Sequence, residues 1–296
     1  MSDFIKIVEV SPRDGLQNEA AFIATKDKLE LITRLIDSGL TCIEVASFVS
    51  PKWIPQLADA AELYQQLPKH TACQFPVLVP NLQGYERALS CGVKEIAIFT
   101  AASEAFTQKN INTSIAESIE RFKPIMTRAQ ADGIRVRGYV STVLGCPYQG
   151  HVPEQDVVNV AQQLFELGCY EISLGDTIGV GTAKAAQQLV LAVSQQVPMQ
   201  QLAVHFHDTF GQALANVFAC IDVGIRTVDA AVSGTGGCPY AKGASGNLAT
   251  EDLVYGLHGM NVETGIQLDK LVETGAWLSH LLGHASHSKV NRALHA

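Results

Sequence analysis

The sequence predicts a (β/α)8 barrel, and three observations carry that expectation. Short β-rich runs alternate with longer amphipathic ones through most of the 296 residues. Eight strand–helix pairs over about 250 residues is the arithmetic of this fold. Glycines stand at helix ends just before the next strand, at Gly39, Gly92, Gly133, Gly168 and Gly224, where a chain leaves a helix through the left-handed region. Polar residues with chemical reach gather at the ends of the β-rich runs, the place where barrels keep their reactive groups. The competing architecture, a doubly wound open sheet, carries a glycine-rich phosphate loop after its first strand. Here that strand ends in "SPRDGLQNE", which has none.

The strands are read near 4–10, 41–47, 74–80, 95–100, 134–140, 170–174, 202–206 and 227–232. Helical periodicity fills 25–38, 55–66, 83–90, 114–131, 154–167, 182–196, 211–222 and 246–258. A further helix over 268–282 and a polar tail follow. No Pro/Ser-rich linker interrupts the pattern, so one catalytic domain is expected over 1–296, with the barrel at about 4–258 and a C-terminal helical extension at about 259–296. Hydrophobic residues at 47% and charged residues at 17% supply a core. A net charge of −8 speaks against a nucleic-acid partner, and no apolar run is long enough for a membrane span. Seven widely spaced cysteines without a C-x-x-C pair read as reduced thiols. A cytoplasmic location is expected.

Charges inside strands alternate with apolar neighbours: Glu44 beside Ile43 and Val45, Glu95 beside Ile96, Arg135 and Arg137 around Val136, Glu171 beside Ile172. The apolar partners face the helices, so these charges are expected to point into the barrel and to pair there. A structural ion network of Glu95, Arg137 and Glu171 is the expectation; Glu44 fits either the network or the site.

A second polar set marks the strand ends. Arg13 and Asp14 end the first strand, Asp176 the sixth, and His205, His207 and Asp208 the seventh. In an extended strand His205 and His207 share a face. The eighth strand runs into "SGTGGCPYAKGASGN", a glycine-dense loop holding Cys238 and Asn247, whose backbone can approach a ligand closely. Strands one, seven and eight are neighbours in a closed barrel. Asp14, His205, His207 and Asn247 can therefore meet as a mixed nitrogen and oxygen set without a thiolate. Such a set suits Mg2+ or Mn2+ with positions left for a chelating substrate; zinc with an open position is the alternative.

The stretches "VEVSPRDGLQNE", "IEVASFVSPKWIPQLAD", "YEISLGDTIGVGT", "VHFHDTFGQALAN" and "GGCPYAKGASGNLATEDLVY" together resemble the 3-hydroxy-3-methylglutaryl-CoA lyase family of the DRE-TIM metallolyases, from about residue 5 to residue 290. The Gly-Gly-Cys-Pro-Tyr loop is the most specific part. The histidine and Arg-Asp pairs are shared with acyl-CoA-condensing synthases and aldolases of the superfamily. The resemblance implies a TIM barrel, a small-molecule acyl-CoA substrate, a homodimer, and a carbon–carbon lyase of leucine degradation and ketone-body formation. It implies that a divalent ion on Asp14, His205, His207 and Asn247 chelates the substrate, and that Arg13 stabilises an enolate oxygen. It further implies that Cys238 protonates the enolate and that Glu44 holds Arg13. Asp14 and His205 are the candidates for the base, with Asp176 a third; Gln17, Ser47 and Tyr139 are expected beside the substrate. Ala20 and Thr235 stand where family members often carry Lys and Leu. The rivals are a lyase for a longer-branched 3-hydroxyglutaryl-CoA, a condensing synthase, which generally lacks the loop thiol, and a non-catalytic metal- or CoA-binding protein.

Overall fold

The computed structural model describes residues 4–237 and 246–295. Eight parallel strands form one sheet in the order β1-β8-β7-β6-β5-β4-β3-β2: β1 (Lys6–Glu9), β2 (Ala46–Ser47), β3 (Val77–Leu78), β4 (Glu95–Ala101), β5 (Arg135–Ser141), β6 (Glu171–Asp176), β7 (Leu202–Phe206) and β8 (Thr227–Ala230). The sheet closes where Glu9 bridges Ile43, with the Glu44 N–H donating to the Glu9 carbonyl at 2.8 Å and the Glu9 N–H to that of Cys42 at 3.0 Å. The expected barrel is the observed architecture. β2 and β3 are shorter than the sequence suggests because Pro76 has no N–H to give the ladder. Its carbonyl still accepts from Val45 at 3.1 Å.

The surrounding helices are α1 (Thr25–Asp37), α2 (Ala60–Gln66), α3 (Leu82–Ser90), α4 (Glu104–Ile111), α5 (Ile115–Asp132), α6 (Glu154–Glu166), α7 (Ala183–Val193), α8 (Ala213–Asp222), α9 (Thr250–Gly259), α10 (Leu268–Leu282) and α11 (Lys289–Leu294). All five helix-end glycines lie at positive φ, between 66° and 121°, which is why each helix can turn back onto the sheet. α4 has too few apolar positions to announce itself; Ser103 starts it by accepting the Phe106 N–H at 3.2 Å. The polar tail is not unstructured: Asp252 accepts from the Lys289 and Val290 N–H groups at 3.1 and 2.9 Å, so a carboxylate on α9 starts α11.

Side-chain alternation divides the strands as expected. Ile172, Leu174, Val204, Phe206 and Val228 pack under the helices in the main apolar cluster. Leu78, Ala97 and Tyr139, with Phe99 against them, form a separate cluster. The buried charges pair, and of the predicted set the Arg137–Glu171 pair is present while Glu95 is not part of it. Arg137 joins Glu171 at 2.7 Å and binds Asp229 through both terminal nitrogens, at 2.9 and 2.7 Å. Glu95 instead accepts from the Tyr170 hydroxyl and faces Arg135 at 3.4 Å. Arg135 does not point into the barrel. It opens β5 at the barrel's amino-terminal rim, where its head reaches water (side chain 49% exposed) and stacks 4.0 Å over the Tyr170 ring.

Candidate active site at the carboxyl mouth

The first strand delivers its reactive pair through a π-helical turn, Ser11–Gly15, with Pro12 inside its first turn. The N–H groups of Arg13, Asp14 and Gly15 all point to the Val10 carbonyl, at 3.2, 2.8 and 3.1 Å. This wound turn swings Arg13 and Asp14 over the barrel mouth; such turns recur at functional sites. Glu9, fully buried, pins it. Its carboxylate accepts from the Ser11 and Val232 N–H groups at 2.9 Å each and from the Thr250 hydroxyl at 2.7 Å. One side chain thus ties the turn to both flanks of the glycine-rich loop.

Residues 246–249 are extended rather than helical, and that difference builds the site. Asn247 bridges His207 and Ala249 bridges Ala231. Asn247 donates its amide to Asp14 Oδ2 at 2.9 Å and to the Thr235 carbonyl at 3.0 Å. Gly236, at φ 98°, lies so close to Asn247 that an added Cβ would meet its Nδ2 at 2.7 Å. Thr235 is fully buried and donates to the Val232 carbonyl at 3.1 Å. Asn18 donates to the Gly237 carbonyl at 3.1 Å. Cys238 itself lies outside the described residues.

Asp14, His205 and His207 offer ligand atoms within 4.8 Å of one another. His205 Nε2 stands 3.8 Å from Asp14 Oδ2, and the two imidazole rings are 5.7 Å apart. Burial and then the neighbouring His205 push the His207 pKa down to about 4, so this ring is neutral with a lone pair available. Its Nδ1 is buried and has no hydrogen-bond partner among the described residues. A buried polar atom left unpaired costs about 1–3 kcal/mol, and a cation would satisfy it. Burial would raise the Asp14 pKa, but Arg13, His205 and His207 together hold the carboxyl well below the usual carboxylate range. An ionised carboxylate oxygen, two imidazoles and a neighbouring amide suit a hard divalent cation.

Arg13 lies across this cluster. Its Nη1 donates to Asp14 Oδ1 at 2.5 Å, its Nε donates to Glu44 Oε1, and its guanidinium stands 5.8 Å from the Tyr139 ring centroid. Glu44, fully buried, also accepts from the Tyr139 hydroxyl at 2.6 Å, and that hydroxyl accepts from Arg137 at 2.7 Å. Tyr139 therefore belongs to the support of Arg13 as much as to a substrate wall.

The side chains of the other expected residues have different partners or positions. Asp176 is fully buried and both its oxygens accept backbone N–H groups, from Val180 at 3.2 Å and Gly181 at 2.8 Å; this carboxylate braces the loop after β6. The Ser47 hydroxyl accepts from the Val49 N–H at 3.2 Å. Gln17 is half-buried just past the π-helical turn. Sequence reading missed Glu9 and Asp229. Asp229 alternates with Val228 and Ala230 in "TVDAAV", the same signal that picked out Glu44.

The sequence profile of the HMGL-like family matches residues 4–278. A mitochondrial hydroxymethylglutaryl-CoA lyase of Gallus gallus is 53% identical over 289 residues, covering 98% of this chain and 97% of that protein. Among solved structures, a hydroxymethylglutaryl-CoA lyase from Pseudomonas aeruginosa superposes with a TM-score of 0.97 at 51% identity, covering 99% of this chain and 98% of that one. An HMG-CoA lyase from Acinetobacter baumannii, solved in complex with coenzyme A and 3-methylmalate, gives a TM-score of 0.95 at 38% identity, covering 99% and 96%. By profile, sequence and fold together, this chain belongs to the HMGL-like family.

Proposed function

We propose that the chain is a carbon–carbon lyase that cleaves 3-hydroxy-3-methylglutaryl-CoA to acetyl-CoA and acetoacetate. The observation that carries the reading is the Asp14, His205 and His207 cluster beside a charged Arg13, in a chain 53% identical to a hydroxymethylglutaryl-CoA lyase. Asp14, His205, His207 and Asn247 are the residues to hold a divalent ion, Mg2+ or Mn2+. When bound there, it supplies Lewis acidity at the substrate's tertiary hydroxyl and carboxylate.

Of the two candidates for the base, Asp14 is the one left to accept the hydroxyl proton, because His205 would give its free lone pair to the ion. As it leaves, the oxygen becomes the ketone of acetoacetate. The bond to the thioester-bearing carbon breaks, and its electron pair enters the enolate of acetyl-CoA. Arg13, held by Glu44, neutralises the enolate oxygen. Cys238 gives its thiol proton to the enolate carbon, completing acetyl-CoA, and regains one from the group that took the hydroxyl proton. Gln17, Ser47 and Tyr139 are assigned to the substrate wall. The same reading takes the chain as a single catalytic domain of a cytoplasmic homodimer; the six described cysteines are free, as a reducing compartment favours.

The test is product analysis with purified chain and divalent metal. Acetoacetate and acetyl-CoA are expected in equal amounts, and Cys238→Ala is expected to lower turnover about 10²–10⁴-fold. Turnover of only longer-branched 3-hydroxyglutaryl-CoA esters would move the assignment to those substrates. Unchanged turnover in Cys238→Ala would remove the thiol from the mechanism.

A further inference from the structure

Asp229 is a fully buried carboxylate on β8, in register with His205 on β7. Four donors converge on its two oxygens. Oδ1 accepts from Arg137 Nη2 at 2.7 Å; Oδ2 accepts from Arg137 Nη1 and the Ser173 hydroxyl, both at 2.9 Å, and lies 3.2 Å from His205 Nδ1. An ionised carboxylate can only accept. His205 Nδ1 must therefore carry the proton, and the lone pair sits on Nε2, the nitrogen that faces Asp14 across 3.8 Å. The Tyr139 ring stands edge-on to the imidazole, 5.9 Å between centroids at 83°, which restrains its rotation. Among the described residues His207 has no such partner for its Nδ1.

We infer that Asp229 is a positioning residue of the cation site: it fixes the tautomer and direction of His205 so that Nε2 presents its lone pair to the ion. Carboxylate–histidine–metal arrangements work in this way, the carboxylate orienting the ring and raising its basicity. The contacts also close a ring. Asp229 binds Arg137, Arg137 donates to Tyr139, Tyr139 to Glu44, Arg13 to Glu44 and Asp14, and Asp14 faces His205. The arginine side and the histidine side of the mouth are thereby held to one frame, with Asp229 at the join.

The inference rests on reading Asp14, His205 and His207 as a cation site, and the experiment separates the two. Mn2+ alone is titrated into metal-free wild type, Asp229→Asn and Glu171→Gln, with free Mn2+ followed by electron paramagnetic resonance. Glu171 holds the other side of Arg137 at 2.7 Å but touches no proposed ligand, so it reports the cost of disturbing the network alone. Asp229→Asn is expected to weaken Mn2+ binding about 10–100-fold, while Glu171→Gln keeps wild-type affinity though both lower the thermal midpoint. Wild-type affinity in Asp229→Asn, or an equal loss in Glu171→Gln, would overturn the inference. A wild-type chain that binds no Mn2+ would instead contradict the cation site on which it rests. Should Asp229→Asn fail to fold, nitrogen-15 spectra of the histidines in the metal-free wild type decide: the expected His205 signal is that of an Nδ1–H ring, and an Nε2–H ring contradicts the assignment.

Discussion

The middle of the barrel and its carboxyl mouth use the same residue types to opposite ends. In the middle, Arg137 has Glu171, Asp229 and Tyr139 around it, and Ser173 and Thr227 fill remaining acceptor positions at 2.9 and 3.2 Å. Charges are cancelled and donors matched, as burial demands. At the mouth the account is left open. His207 keeps an unpaired Nδ1, and Asp14 is one-fifth exposed with one oxygen turned to Asn247 and the histidines. A network that closes on itself stabilises a fold; one left short of a partner waits for a ligand. Tyr139 and Glu44 join the two regions, which is why sequence alternation alone could not sort Glu44 into either.

The same substitution at both places should separate them. Arg137→Met strands Asp229 and Glu171 in the interior and is expected to cost about 3–5 kcal/mol of stability, read by urea unfolding. Arg13→Met leaves Glu44 its Tyr139 donor and Asp14 its Asn247 donor. It should lose less stability but lower kcat about 10²–10³-fold in an acetoacetate assay. Comparable stability losses with retained turnover in Arg13→Met would erase the distinction. His207→Leu sharpens it further: removing an unpaired buried nitrogen should leave the unfolding midpoint unchanged or raised, while Mn2+ binding is lost.

The smallest effect concerns the flank of the glycine-rich loop. Glu251, fully buried, accepts the Ser233 N–H through both oxygens at 3.0 and 2.9 Å, and burial pushes its pKa up to about 8. Its folded pKa exceeds the unfolded one, so the folded state holds the extra proton between the ordinary carboxylate range and about pH 8. Stability from this group is full below that window and is lost as pH rises through it. Glu251→Gln should flatten that fall in a series of melts across the window. A melt series for the variant that parallels wild type would place the loss elsewhere.

Much of this was legible in the sequence. The helix-end glycines announced five left-handed exits, and the alternation in "LAVHFH" placed His205 and His207 on one face. Asp14 and Asn247 could be grouped with them because the barrel's closure makes their strands neighbours. What was hidden depends on backbone paths that side-chain periodicity does not encode. The π-helical turn at 11–15 looks like a loop in "SPRDG". Residues 246–249 share the polarity of a helix start, yet pairing with His207 and Ala231 keeps them extended. Glu9 was invisible as a clamp because its partners, Val232 and Thr250, lie at the far end of the chain.

On the proposed function, a divalent cation makes the chain a lyase at the open mouth and not in the closed interior. Acetoacetate release from 3-hydroxy-3-methylglutaryl-CoA, measured on metal-stripped protein before and after Mn2+ is added, tests it most directly. No turnover until Mn2+ is present, and none restored in His207→Leu, is the predicted result. Full turnover in the presence of EDTA, or restoration by Mn2+ in His207→Leu, would contradict the account.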